Sequence, residues 1–254
     1  MPIPEYKNIA GFYDLWCQGD PNCNTSHEFY VQLCKNAVGH IVELGAGTGR
    51  ITIDVAQKGK DITGIDICSE MLDVCRKKAV LEGVDDRISL LQSDVREFQL
   101  DKKADLIIFP FRSIGHLLTT EDKKKVFQCA YQQLNTGGLF VFDHYIFDKD
   151  WAEMYNGVSR LMYTGVGEDN QHLYIWDTYL FDFDTRIMNC YITVEKTEEE
   201  GIVVEKRYIP FTFSWILPEQ VRQLAEESGF EVEGLYGDFE MGSFNNDSQN
   251  QIWM

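Results

Sequence analysis

Between residues 40 and 145, short apolar runs alternate with stretches in which apolar side chains recur every three or four positions. A short apolar run bounded by turn formers fits a strand buried on both faces, and the wider spacing fits a helix with one buried stripe. His40–Leu44, Asp61–Asp66, Ile88–Asp94, Asp105–Phe111 and Leu139–Tyr145 are the five strands this reading predicts. Among the helices, Ser69–Gly83 carries Leu72, Cys75 and Ala79, and a second stripe of Val126, Phe127, Ala130 and Leu134 ends at Gly137-Gly138. Regular alternation of the two predicts βαβ units, hence an α/β fold around a parallel sheet.

The pattern changes after residue 150. Residues 160–213 read as consecutive β segments rich in Tyr, Ile, Val and Phe, such as Leu173–Phe183 and Ile187–Glu195, with polar turns such as Thr197–Gly201 between them. Helical spacing returns at Pro218–Ser228, where Val221, Leu224 and Ala225 share a side, and strands are predicted at Glu231–Tyr236 and Gln251–Met254. The expected organisation is one βαβ domain (1–150 with 214–254), its first 39 residues a helical lid broken near Gly19–Ser26, and an antiparallel β insertion over 151–213.

Composition narrows the partners. With 41 acidic against 23 basic side chains the chain carries a formal charge of −18, which repels a phosphate backbone or an anionic membrane surface. Its densest basic run, Lys123–Lys125, fits the solvated face of a helix. Seven scattered cysteines, never in a CxxC pair, argue against a disulfide framework and against a zinc site, so no metal is expected. The start of the chain has neither a basic nor an apolar leader segment, and the cytoplasm is the expected location.

The sharpest chemical signal is Glu43-Leu44-Gly45-Ala46-Gly47-Thr48-Gly49-Arg50, a strand ending in an acid and then three glycines at alternate positions. Such glycines let the backbone turn sharply and approach a ligand beside the positive end of the next helix. A dinucleotide fingerprint would put its third glycine where this chain has Arg50, so the spacing suits S-adenosylmethionine better than NAD. The second strand ends at Asp66, where a carboxylate can accept from both ribose hydroxyls, and the third at Asp94, where one can accept from an adenine amino group.

These residues resemble the motifs of the class I S-adenosylmethionine-dependent methyltransferases. The resemblance implies a Rossmann-like seven-stranded sheet in the order 3-2-1-4-5-7-6, with helices on both faces, the last strand antiparallel and the β insertion acting as a lid. It implies cofactor contacts from Tyr13, Glu43, Gly45, Ala46, Gly47, Asp66, Ile67, Met71, Asp94, Val95, Phe109 and Phe111. S-adenosyl-L-homocysteine would be the product. Asn135-Thr136-Gly137-Gly138 is similar to the family's Pro-Gly-Gly turn. Tyr6–Asp14 is similar to the Tyr-Asp segment that covers the cofactor in small-molecule N-methyltransferases. Phe111-Arg112-Ser113-Ile114-Gly115-His116-Leu117 resembles a loop of the amino-sugar N,N-dimethyltransferases, from which Arg112 and His116 depart, and Gly237–Ser248 resembles their C-terminal hairpin. Where base-methylating enzymes carry Asn/Asp-Pro-Pro-aromatic, this chain has Phe109-Pro110-Phe111-Arg112, which argues against nucleic acid as acceptor.

A sulfonium is already a good electrophile, so the protein needs mainly to align a nucleophile and keep water out. Tyr13, His116 and His144 are the candidate catalytic residues, the two histidines as bases for a protonated acceptor or as packing groups. The expected function is methylation of a small molecule, at nitrogen of an amine or heterocycle or alternatively at oxygen, by a monomer or homodimer. An NAD-dependent oxidoreductase and a silent cofactor-binding module are the rival classes. Aromatic residues of the insertion, among them Trp151, Tyr155, Trp176 and Tyr179, are candidate walls for the acceptor or simply sheet core.

Overall fold

The computed structural model describes residues 5–20, 22–167 and 171–254. Residues 1–4, Pro21 in the expected lid break and residues 168–170 in the expected β run lie outside the described residues.

Helix α1 (Tyr13–Gln18) and helix α2 (Asn22–Asn36) precede the sheet. Then β1 (Ile41–Leu44), α3 (Arg50–Gln57), β2 (Ile62–Asp66), α4 (Ser69–Glu82), β3 (Ile88–Gln92), β4 (Ala104–Phe109), α5 (Thr120–Gln133) and β5 (Leu134–Tyr145) follow as βαβ units. After α6 (Lys149–Tyr155) come β6 (Ser159–Val166), β7 (His172–Asp182), β8 (Ile187–Thr197) and β9 (Val203–Ser214). The chain closes with α7 (Pro218–Ser228), β10 (Leu235–Tyr236) and β11 (Asn250–Trp253).

Seven strands form one sheet in the order β3-β2-β1-β4-β5-β11-β10, which is 3-2-1-4-5-7-6 once the insertion strands are left out of the count. β2, β1, β4 and β5 pair in parallel, while β11 runs antiparallel to β5 and to β10. Side chains alternate across the central strands, so two cores form. Leu106 and Ile108 of β4 face Tyr30 and Cys34 of α2 and Val55 of α3. Ile107 and Phe109 face Val126 and Phe127 of α5 and Val221 and Leu224 of α7. All seven cysteines are free and buried, Cys34 and Cys129 within these two cores.

The second sheet is an antiparallel meander, β6-β7-β8-β9. One of its faces, with Leu173, Ile175, Ile192, Ile209 and Phe211, packs on Ile9 and on Phe12, Tyr13 and Trp16.

Four details differ from the sequence reading. Leu134 does not extend the α5 stripe; it opens β5 and pairs with Ala104, and Asn135–Gly138 form an irregularity inside the strand where the register shifts. Helix α2 is more than a cover: Tyr30, Val31 and Cys34 give it a stripe buried on the sheet, while Cys23 and Ser26 at its start line the cleft. Residues 151–155 are helical, with Asp148 capping through the Trp151 N–H. Of Glu231–Tyr236 only the last two residues pair as a strand.

Candidate active site

Strands β1, β2 and β3 end on one edge of the sheet, and their loops line a cleft with two connected parts. The first is lined by Gly45, Gly47, Asp66, Ile67, Met71, Asp94, Val95, Arg96 and Phe109, together with Tyr6, Tyr13, Ser113 and His116. The second shares Tyr13, Gly45, Gly47 and Ser113 and adds Glu43, Ala46, Arg50 and Phe111. The cleft thus brings together every residue for which the sequence predicts cofactor contact, and His116 besides. His144 lies outside both parts.

The glycine loop is shaped by its own geometry and by Asp66. Gly47 and Gly49 have φ of +55° and +79°, where side chains are strained, and a Cβ on Gly49 would stand 2.3 Å from Cys75 Sγ. Asp66 Oδ2 accepts from the Gly47 N–H at 2.9 Å and Oδ1 from the Cys68 N–H at 2.8 Å. One carboxylate therefore ties the loop after β1 to the start of α4, and burial raises its pKa. Glu43 is buried, accepts from the Thr52 hydroxyl, and is pushed by burial up to about 8.

The segment over the cleft is anchored at several points. Thr48 Oγ1 donates to Asp14 Oδ1 at 2.6 Å and Lys78 Nζ to Asp14 Oδ2 at 2.8 Å. Ala10 packs with Cys68 and Met71. Tyr6 Oη lies 2.7 Å from His116 Nε2, and the two rings meet edge to face. Burial raises the hydroxyl pKa of both Tyr6 and Tyr13 well above the ordinary value.

His116 ends a 3-10 turn (Ser113–His116) after β4. Phe213 packs on its ring at 4.3 Å, and burial lowers its pKa to about 4. The Thr212 backbone beside the ring opposes that lowering. The turn starts from two non-glycine residues in the left-handed region, Phe111 (φ 56°) and Arg112 (φ 59°). Backbone of this kind persists where its surroundings over-determine it. Asp143 does that here: fully buried, it accepts from the Phe111 N–H at 2.8 Å, the Arg112 N–H at 3.1 Å and the Tyr30 hydroxyl at 2.7 Å.

His144 corrects the sequence reading. It lies within β5, opposite Gln251 of β11, and lines neither part of the cleft. The ring is fully buried against Tyr145 and the Gly115 backbone, and burial, with Lys123 and Arg112 nearby, lowers its pKa to about 3. A molecule in the cleft would not touch it.

Four functional contacts escaped the sequence reading. Tyr6 was visible only as part of a motif, and Asp14 likewise. Arg96 binds both oxygens of Asp94, and Asp143 holds the turn that carries His116. Each pairing except Arg96–Asp94 joins residues more than thirty positions apart, as the separations of 110, 34 and 32 show.

The family model for a methyltransferase domain matches residues 41–138. An uncharacterized methyltransferase of Bacillus thuringiensis (strain Al Hakam) is 31% identical over 152 residues, 57% of this chain and 68% of that protein. Among solved structures, the CcbJ methyltransferase of Streptomyces caelestis superposes with a TM-score of 0.80 at 20% identity, over 98% of this chain and 96% of that one. The sugar N-methyltransferase KedS8 of Streptoalloteichus gives 0.74 at 14% identity, over 95% and 92%. These two share the fold with this chain.

Proposed function

The chain belongs to the class I S-adenosylmethionine-dependent methyltransferases, and from that premise we propose that it methylates a nitrogen of a small amine or nitrogen heterocycle. The cleft suits the cofactor. Asp66 is fixed where it can accept from the ribose hydroxyls, Ile67, Met71 and Val95 offer apolar surface to the adenine, and Gly45 and Gly47 leave room for close backbone approach. Asp94 is the acceptor for the adenine amino group. Glu43, Ala46, Arg50 and Phe111 surround the part left for the methionine portion. Bound there, the cofactor supplies a methyl group on a sulfonium.

One observation carries the choice of nitrogen. His116 stands in the acceptor wall, hydrogen-bonded to Tyr6, and burial lowers its pKa to about 4. A base that weak does not deprotonate an alcohol, whereas a neutral amine or ring nitrogen needs no base. Tyr6, Tyr13, His116, Phe211 and Phe213 then act by excluding water and holding the acceptor in line with the methyl. The acceptor is a small molecule of the kind the fold's sugar-methylating relative KedS8 acts on in name. The charge of −18 disfavours a nucleic acid.

The test is incubation of the enzyme with a metabolite pool and methyl-labelled S-adenosylmethionine, followed by tandem mass spectrometry. The expected product carries the label on nitrogen. Label found only on oxygen would sink the choice of nitrogen, and no labelled small molecule at all would sink the acceptor class.

A further inference from the structure

At the end of β3 the cleft contains a charged arrangement that no nucleotide contact by itself requires. Arg96 binds Asp94 with most of its polar edge. Its backbone N–H and Nε donate to Asp94 Oδ1, both at 2.9 Å, and Nη2 donates to Oδ2 at 2.5 Å. On its other side Nη1 donates to Asp122 Oδ1 at 2.7 Å. Asp122 in turn is fixed at the start of α5, where its N–H and its carboxylate both engage Thr119 Oγ1. The side chains of Asp94, Arg96 and Asp122 are 18%, 24% and 12% exposed, so the row is sheltered, and Asp94 and Arg96 both line the cleft.

We infer that Arg96 is a positioning residue that makes this site select a purine with an amino group over one with an oxo group at the same carbon. The inference rests on the cofactor reading proposed above. A lone carboxylate at the rim of a cleft rotates about two torsions, and a base with an oxo group meets only a carboxylate that can swing away. Arg96 removes that freedom, because a planar guanidinium bound to both oxygens fixes the carboxylate's plane as well as its position. It also keeps the carboxylate ionised: the Arg96 hydrogen bonds hold the Asp94 pKa below the ordinary value. An ionised carboxylate accepts and never donates, so a fixed one rewards an amino group and repels an oxo group facing it. Selection of this kind is strong when the alternative leaves buried polar groups unpaired. The anchor at Asp122 lies on another element, so the acceptor's position is set by α5 and not by the β3 loop alone.

The experiment is calorimetric binding of S-adenosylhomocysteine and its deaminated analogue S-inosylhomocysteine to the full chain, without any methyl acceptor. The wild-type chain is expected to prefer the amino compound by about tenfold or more, the scale of one hydrogen bond to a charged group. Arg96→Met is expected to weaken S-adenosylhomocysteine by about tenfold and to change the deaminated compound by less than about threefold, so the preference collapses. Arg96→Lys, which keeps the charge but cannot span both oxygens, should lie between, and it serves if the methionine variant fails to fold. Equal weakening of both ligands in either variant would show that Arg96 only holds the loop in place, and this overturns the inference. So would a wild-type chain indifferent to the amino group. Binding of neither ligand would overturn the cofactor reading itself.

Discussion

The two walls of the cleft are held by different forces. On the side of β1, β2 and β3, short polar contacts fix the loops: Asp66 to the Gly47 and Cys68 N–H groups, Arg96 to Asp94. On the side of the β6–β9 sheet, aromatic packing does the work, with Tyr6 at 4.5 Å from Phe211 and His116 at 4.3 Å from Phe213. Polar contacts are directional and tolerate few substitutions, whereas apolar packing tolerates side chains of similar volume. Under the proposed function the rigid chemistry lies beneath the cofactor and the adaptable packing around the acceptor, an arrangement that would let one scaffold keep its reaction while its acceptor changes.

The sharpest break in that comparison is Gly47→Val. A branched side chain at φ +55° costs roughly 1–3 kcal/mol before any ligand is considered, and the Cβ would also approach Met71 Cε to 3.3 Å at the cleft wall. Calorimetry should find S-adenosylhomocysteine binding lost, while circular dichroism still reports a folded chain. Retained affinity would mean that the polar wall tolerates change as the aromatic wall does. Asp66→Ala should have the next largest effect, a weakening of about 1.5–3 kcal/mol, the scale of hydrogen bonds to a charged group. An unchanged dissociation constant would remove Asp66 from the ribose site.

The same contrast explains what could be read from the sequence. The placement of Gly45, Gly47, Asp66 and Asp94 on one cleft was legible because each sits at or just past the end of a strand on the same edge of the sheet. The strand order followed from the resemblance those residues carry. The aromatic wall was not legible, because Tyr6 meets His116 across 110 positions and no periodicity encodes that pairing. His144 was named as a candidate base although it falls inside the predicted strand Leu139–Tyr145, because burial on both faces leaves no alternation to tell which side chains reach the cleft. Leu134 fits a helical stripe equally well, and only its pairing with Ala104 assigns it to the strand. Arg96 was invisible as a partner of Asp94 because a charge two positions from an acid reads as ordinary surface.

The smallest expected effect concerns the pH at which each wall loses stability, and the two walls should respond with opposite sign. Glu43, under the glycine loop, is raised by burial from 4.5 to about 8. Below about 4.5 it is protonated whether the chain is folded or not. As pH rises toward 8 the unfolded chain gives up the proton first, so stability falls across that window and is level above it. His116, in the aromatic wall, and His144, behind it, are lowered from 6.5 to about 4 and about 3 by burial. Above 6.5 both are neutral in either state. As pH falls from 6.5 toward those values the unfolded chain takes up protons first, so stability is lost on the acid side. Each group contributes a slope of at most about 1.4 kcal/mol per pH unit. Urea unfolding of the wild-type chain, Glu43→Gln and His144→Gln between pH 5 and 8 separates the two. Glu43→Gln, which keeps a carbonyl oxygen for the Thr52 hydroxyl, should flatten the loss toward pH 8 and leave the acid side unchanged. His144→Gln should flatten only the region below pH 6.5. If Glu43→Gln leaves the slope from pH 5 to 8 as it was, the carboxyl is already ionised in the folded chain, and the polar wall carries a charge where its burial argues for a proton.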